Sequence, residues 1–447
     1  LVSFSASSLD EWLAYQTTVH PQAIDFGLAR IETLLERLGW HRPATPVISI
    51  AGTNGKGSVV AYCAAILAAA GYRVGTFTSP HLRDYRERIT LDGHRVDSGR
   101  LLAAFERIEA ARGDILLTFF EYNTLAALLV LEAARLDAWV LEIGMGGRLD
   151  AVNVVDADVA VVVSIGLDHQ EFLGSSLDAI AREKAGIFRR GRAAVLGGRE
   201  MPPAVAEVAA SVGARLKRLG REFDVQRHGS RLDYLGPEWR LADLPAPALL
   251  GDTQYDNAAT AIAALEELDQ RLRVPAAAVA AGLTSVRLMG RFQVIAPAAA
   301  GLPTWILDVA HNADAARVLA QNLRANRVAG RTLAVCAILA DKDAPAIVAQ
   351  LRDCMDAWWF ASTDGARGCS GAALADRVKP QLAAPATAVD DVATGLKAAL
   401  AAAGAADRIV VFGSFHTVGP ALSWLEDKGF LPPADDREYT AADGSSR

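Results

Sequence analysis

Val47-Ile48-Ser49-Ile50-Ala51 runs without interruption into Gly52-Thr53-Asn54-Gly55-Lys56-Gly57-Ser58. Five residues of strand character meet a glycine-rich turn, and the stretch from Ser58 to Ala70 then reads as a helix. A second strand from Arg73 to Thr78 closes a βαβ unit. Such a turn presents backbone N–H groups at a helix N-terminus, where the helix dipole adds partial positive charge, so it stabilises phosphate. Gly52, Gly55 and Gly57 let the backbone approach a ligand closely, Lys56 neutralises terminal phosphates, and Ser58 faces a Mg²⁺ ion. Gly57 separates the lysine from the hydroxyl, a departure from the commonest phosphate loop. The plainer alternative, a glycine-rich turn with a surface lysine, is disfavoured by the strand before it and the helix after it.

Outward from this loop the same rhythm continues. Buried-type strands are predicted at Ala138 to Ile143, Val159 to Ile165 and Ala193 to Leu196, with helical runs such as Thr124 to Arg135 between them. Alternation of this kind implies a mostly parallel sheet with helices on both faces. Arg221 to Pro247 breaks the pattern and predicts a small β excursion around Arg231 to Leu235. A helix is expected from about Asn257 to Leu272, and the Ala-, Pro- and Gly-rich stretch from Gly290 to Pro303 reads as a linker. Beyond it, strands at Trp305 to Val309, Thr332 to Ile338, Trp358 to Ala361 and Ile409 to Gly413 alternate with helices such as Ala315 to Ala325 and Ala344 to Asp353. The Ala-rich run from Ala398 to Ala406 also reads as helix. The expected fold class is α/β: a P-loop parallel-sheet ATP-binding domain over 1–289, a linker over 290–303 and a smaller Rossmann-like α/β domain over 304–447.

Composition agrees with such a fold. Of 447 residues, 51% are hydrophobic and 22% charged, the balance of a globular chain with a substantial core. A net charge of -7 argues against nucleic acid, whose affinity comes from clustered Lys and Arg. No apolar run approaches the ~18 residues that span a bilayer. The N-terminus, Leu1-Val2-Ser3-Phe4-Ser5, lacks the pattern of a secretory signal, so a cytoplasmic location is expected. Cys63, Cys336, Cys354 and Cys369 show no C-x-x-C spacing and read as small hydrophobes.

Four polar clusters fall where strands of the first sheet end, the edge at which open α/β sheets bind ligands. They are Thr78-Ser79-Pro80-His81, Glu142 with the following Gly144-Met145-Gly146-Gly147-Arg148-Leu149-Asp150, Asp168-His169, and Glu183-Lys184. Mg²⁺ prefers oxygen ligands and shares substrate phosphates, which suits Ser58, Ser79 and Glu142. His169 is an unusual Mg²⁺ ligand, because imidazole suits softer metals. Residue type leaves that question open.

These stretches, in order along nearly the whole chain, resemble the bifunctional dihydrofolate synthase/folylpolyglutamate synthase family, within the wider Mur-ligase-like family. Further similar stretches are Ile24 to Leu28, Leu117 to Leu128, Leu141 to Asn153, Arg182 to Phe188, Gly290 to Gln293, Asp308 to Asn312 and Gly413 to Val418. The resemblance implies an ATP-dependent ligase: ATP phosphorylates a substrate carboxylate, and the amine of L-glutamate displaces phosphate from the acyl phosphate to form an amide. Such chemistry needs positioning and charge neutralisation more than a nucleophilic triad.

It further implies ATP on Thr53, Asn54, Gly55, Lys56, Gly57 and Ser58, completed by Asn257, Arg291 and Asp308. Mg²⁺, as one ion or two, is implied on Ser79, Glu142 and His169, with Lys56, Lys184 and His169 in catalytic roles. Lys184 corresponds to a lysine carbamylated in that family, although beside Arg182 and Glu183 it otherwise reads as a helical surface lysine. The implied pterin site is Ile24, Asp25 and Phe26, Thr118, Phe119, Phe120 and Glu121, and Leu149, Asp150 and Ala151. Glutamate is implied near His311 and Ser414. The implied partners are dihydropteroate, reduced folates and L-glutamate, with no nucleic acid or membrane, on a monomer.

Ala313-Asp314 stands where the family commonly has Pro-His, and Leu288-Met289 where Leu-Pro is common, which touches the hinge and glutamate pocket. A monofunctional folylpolyglutamate synthase is the nearest alternative, and the stretch from Leu117 to Leu128 favours the bifunctional form. A cell-wall Mur ligase is disfavoured because a UDP-binding domain is expected before the loop. A GTPase needs a guanine-reading Asn-Lys-x-Asp segment, which is absent. A non-catalytic binding module has no need of Lys56, Glu142 and His169 together.

Overall fold

The computed structural model describes residues 4–297 and 299–432. Residues 1–3, Ala298 in the expected linker, and 433–447 of the expected second domain lie outside the described residues.

Val47–Ala51 forms β1, buried at all five positions. The other strands of its sheet are β2 (Val74–Phe77), β3 (Ile89–Leu91), β4 (His94–Arg95), β5 (Ala138–Glu142), β6 (Val159–Val162), β7 (Ala193–Leu196) and β8 (Arg215–Arg218). The order is β4-β3-β2-β5-β1-β6-β7-β8, parallel from β2 to β8, with β3 and β4 added antiparallel at one edge. Because strand side chains alternate, each central strand feeds two cores. Ile48, Ile50, Val140 and Val161 pack with the helices Lys56–Ala69, Thr253–Glu266 and Ala276–Ser285. Val47, Trp139, Leu141 and Val162 pack with Leu9–Val19, Ser98–Arg112 and Phe119–Ala133 on the opposite face.

The β excursion is a separate antiparallel sheet of β9 (Asp224–His228), β10 (Arg231–Leu235) and β11 (Arg240–Pro245). The helix expected to reach Leu272 ends at Glu266. Leu268 and Leu272 are still buried, so the apolar spacing that suggested helix is satisfied by turns.

A third sheet contains β12 (Gln293–Ile295), β13 (Thr304–Asp308), β14 (Thr332–Cys336), β15 (Ala357–Ala361), β16 (Ala386–Val389) and β17 (Arg408–Phe412), ordered β12-β13-β17-β14-β15-β16. All its pairings are parallel except β12 with β13. β12 lies inside the stretch expected to be linker. The flanking Ala, Pro and Gly concealed a short β segment whose Ile295 is buried against the second domain. The Ala-rich helix also ends early, at Ala402, before Gly404 donates its N–H to the Asp407 carboxylate at 2.9 Å. Among the described residues no helix is long and apolar enough to cross a membrane.

The C-terminal ends of β1 and β6 meet those of β13 and β14 across a cleft. Asn54, after β1, and Asn312, after β13, exchange amide hydrogen bonds of 3.1 and 3.0 Å. Asp168, after β6, accepts from the ammonium of Lys342, after β14.

Candidate active site

The turn after β1 requires its glycines. Gly55 has φ +86°, and a Cβ there would lie 2.8 Å from Val163 Cγ1 and 2.9 Å from Asn257 Oδ1. That contact places Asn257 directly over the loop. Gly57 has space, and the nearest atoms to a Cβ there are Arg291 Nη2 at 3.7 Å and Glu142 Oε2 at 3.9 Å. The loop is tied to the strand beside it: Thr53 Oγ1 accepts from the Gly166 N–H at 2.9 Å, and the Asn54 N–H donates to Ser164 Oγ at 2.9 Å. Lys56 Nζ donates to the Gly52 carbonyl at 3.0 Å. Asp308 receives the Phe292 and Ala310 N–H groups, each at 2.8 Å. Burial raises its carboxyl against the pull of Arg291, whose guanidinium is itself buried.

The residues fit a nucleotide with a hard divalent cation. Ser58 Oγ is buried beneath the loop with no hydrogen-bond partner among the described residues, an orphaned acceptor in the first turn of the helix. Glu142 is buried and accepts the Ser79 N–H at 3.3 Å. Burial raises its carboxyl, opposed by Lys56, Arg291 and Arg88. A cation beside it would oppose that rise further. Among the described residues no group of three or more His, Cys, Asp and Glu side chains is arranged to hold a metal, so hydroxyl and phosphate oxygens must complete such a site. His169 sits at φ +51° with Nε2 3.9 Å from Asp168 Oδ1. Burial lowers its imidazole to about 4, which leaves it neutral.

Lys184 is not a surface lysine. The helix Leu177–Ala185 turns Ile180, Ala181 and Lys184 inward, and Lys184 Nζ donates to the Gly52 carbonyl at 3.1 Å. Burial, reinforced by Lys56, lowers its amine to about 7.

The residues implied for pterin and for glutamate line one cavity of about 340 Å³, together with Ser79 and His169. The wall implied for a pterin is built by local structure. Thr118 caps the helix Phe119–Ala133 and shares a capping box with Glu121, whose Oε2 accepts the Thr118 N–H at 2.8 Å. Arg30 then bridges Glu121 at 2.9 Å and Asp25 at 2.6 Å, so these two carboxylates lock the wall together. Phe120 lies so close to Gly144 that a Cβ there would sit 2.4 Å from its ring. Asp150 receives the Met145 and Val152 N–H groups at 2.8 and 3.0 Å, and burial raises it to about 6. Across the cavity, His311 Nδ1 donates to the Val309 carbonyl at 2.8 Å, which orients the ring. Ser414 Oγ pairs with Thr417 Oγ1 at 2.8 Å.

The cavity also contains Arg88, Lys342, Arg367 and Phe415, which the sequence reading did not single out. Arg88 is buried, donates to His81 Nδ1 at 2.9 Å and lies 5.7 Å from the Phe119 ring centre. Within Tyr85-Arg86-Glu87-Arg88 nothing distinguished it from solvated charge. Lys342 follows β14, and the rule that ligands gather at strand C-termini would have found it had it been applied to the second sheet.

A phosphate loop on a parallel sheet, facing a second α/β domain across a shared cavity, defines a two-domain ligase of the Mur type. The Mur ligase middle domain family model matches residues 50–265, and the Mur ligase, glutamate ligase domain model matches 290–415. The dihydrofolate synthase/folylpolyglutamate synthase of Escherichia coli (strain K12) is 42% identical over 422 residues, 94% of this chain and 96% of that protein. The solved structure of E. coli FolC in complex with DHPP and ADP superposes with a TM-score of 0.89 at 42% identity, covering 95% of this chain and 99% of that one. A bifunctional folylpolyglutamate synthase/dihydrofolate synthase with Mn, AMPPNP and L-glutamate bound gives 0.86 at 40% identity, covering 95% and 100%. The chain belongs to the dihydrofolate synthase/folylpolyglutamate synthase family.

Proposed function

We infer that this chain is an ATP-dependent amide ligase that joins L-glutamate to dihydropteroate, forming dihydrofolate, and to the γ-carboxylate of reduced folates, forming folylpolyglutamates. One observation carries the reading: the pterin-side wall and the glutamate-side residues His311 and Ser414 line a single cavity that also reaches Ser79 and His169, beside the phosphate loop. The acceptor carboxylate, the transferring phosphoryl group and the incoming amine can therefore meet without leaving the protein.

Lys56 and the loop N–H groups would hold the nucleotide phosphates, with Asn257, Arg291 and Asp308 closing the site. Ser58, Ser79, Glu142 and His169 are the proposed holders of Mg²⁺, which when bound supplies charge neutralisation to the transferring phosphoryl group. Phe26, Phe119 and Phe120 offer flat apolar surface to a pterin ring. His311 and Ser414 would receive the amino acid.

Lys184 is proposed to be carbamylated. A neutral amine adds CO₂ to give an N-carboxylate and a proton, and a lysine that titrates near 7 supplies that amine at neutral pH. The product would be an anion beside Lys56 in place of a second cation. We further propose a monomer in the cytoplasm, divided as 1–289, a linker at 290–303, and 304–447. Free thiols at all four cysteines agree with a reducing compartment.

The test is direct: purified protein with ATP, Mg²⁺, dihydropteroate and L-glutamate should form dihydrofolate and release ADP. Turnover with tetrahydrofolate but none with dihydropteroate would reduce the activity to the monofunctional one. Phosphate release at background with every substrate present would reject the ligase.

A further inference from the structure

Asp168 receives three groups of the second domain on one carboxylate. Its Oδ1 takes the Lys342 ammonium, and its Oδ2 lies 3.2 Å from Asn312 Nδ2 and 3.5 Å from His311 Nε2. Asn312 continues the chain of contacts through its reciprocal amide pair with Asn54, which stands inside the phosphate loop. Asn312 Oδ1 also caps the helix Ala313–Ala325 by accepting the Ala315 N–H at 2.9 Å. The Asp314 side chain of the same helix packs on Gly166, where a Cβ would lie 2.4 Å from its carboxylate.

The network runs from the cavity to the glycine-rich loop. Lys342 and His311 line the cavity, and Asn54 belongs to the loop that cradles phosphate. The Lys342 ammonium has Asp168 as its one hydrogen-bond partner among the described residues, so two of its three donors remain for an anion. A static domain contact has no need to run from one ligand-facing residue to another. An anionic amino acid drawn to Lys342 and His311 bears on the Asp168 carboxylate and, through the Asn312 amide that Asp168 accepts from, on Asn54.

We propose that Asp168 and Asn312 are positioning residues that couple the amino-acid pocket to the phosphate loop, so that L-glutamate and nucleotide each tighten the binding of the other. The proposal rests on the glutamate-ligase reading above. Coupling of this kind is reciprocal, because each ligand favours the same closed arrangement of the two domains.

Titration calorimetry on the full chain, saturated with dihydropteroate and Mg²⁺, tests it. The Kd of a non-hydrolysable ATP analogue is measured with and without L-glutamate, and that of L-glutamate with and without the analogue. The wild-type ratio is expected to be about tenfold in both directions. Asn312→Asp keeps the helix cap but donates to neither Asp168 nor Asn54, and should bring the ratio to one. Asp168→Asn, which removes the charge that collects Lys342 and His311, should do the same and serves if the first variant does not fold. A wild-type ratio of one, or an unchanged ratio in both variants, overturns the coupling. Failure of L-glutamate to bind the wild-type chain at all counts against the reading of the site as well, whereas binding of both ligands without coupling counts against the coupling alone.

Discussion

Lys56 and Lys184 present their ammonium nitrogens to one acceptor, the Gly52 carbonyl, at 3.0 and 3.1 Å. Two cations on one oxygen repel, and the more buried Lys184 is the one whose charge is suppressed. If the neutral amine is carbamylated, activity at fixed total CO₂ plus bicarbonate should rise as pH climbs through 7. ¹³C-bicarbonate should then give a carbamate resonance that Lys184→Ala lacks; the same resonance in the variant would reject the assignment. Lys56→Ala should lower ADP release by about 10²- to 10³-fold, the scale of losing one charge-stabilising donor, and wild-type turnover would remove Lys56 from the phosphate site. Asp150 gives a stability test. Its carboxyl titrates near 6 when folded against an ordinary 3.8, so between these values the folded chain holds more protons than the unfolded chain. Stability therefore falls as pH rises through that window. The thermal midpoint of Asp150→Asn, whatever its offset, should gain on wild type from pH 4 to 7, and a constant gap would show that Asp150 does not titrate there. At this scale the sequence exposed residue types but not their solvation. Lys184 stood beside Arg182 and Glu183 and looked exposed, although Ile180 and Ala181 at helical spacing were the available sign that it faces inward.

The glycine-rich loop was legible because its signal is local, whereas the helix expected from Thr124 starts at Phe119 behind a Thr118 cap whose equally local signal was passed over. Gly at a positive-φ turn and the Thr-x-x-Glu capping box each act within a few residues. Gly55→Ala should therefore fail twice, through the strained φ and through the clash with Val163 and Asn257. Equilibrium unfolding should show a loss of about 1–3 kcal/mol, the range for overpacking, together with lost nucleotide binding. A stable Gly55→Ala that binds ATP normally would mean that the loop can reshape. Among the elements that escaped, β12 and β16 did so for a different reason. β12 is three residues long and lies among Ala, Pro and Gly, and its strand character comes from pairing with β13. β16 is an exposed edge whose Ala386–Val389 carries no alternating apolar pattern, so only its partner β15 defines it.

At the scale of the molecule, the two domains are held together by close packing as well as by the Asp168 network. Gly419, in the helix Phe415–Asp427, admits the Leu82 carbonyl of the first domain so closely that a Cβ would lie 2.0 Å from it, and Arg83 pairs with Glu426 nearby. Gly419→Ala should push the domains apart. Small-angle scattering should report a larger radius of gyration, and the KM for L-glutamate should rise while each domain stays folded by circular dichroism; unchanged scattering and KM would show that the interface yields without cost. The alternation of strands and helices, the phosphate loop and the polar residues at strand ends were determined by the sequence itself, because hydrophobic period and turn chemistry are written in neighbouring residues. The burial of Lys184, the inclusion of Arg88 and Lys342 in the cavity, and the contact of Asn54 with Asn312 were decided only by tertiary structure. Those features join residues as many as 258 positions apart, and the desolvation and charge that give them their chemistry exist only once distant segments of the chain have packed together.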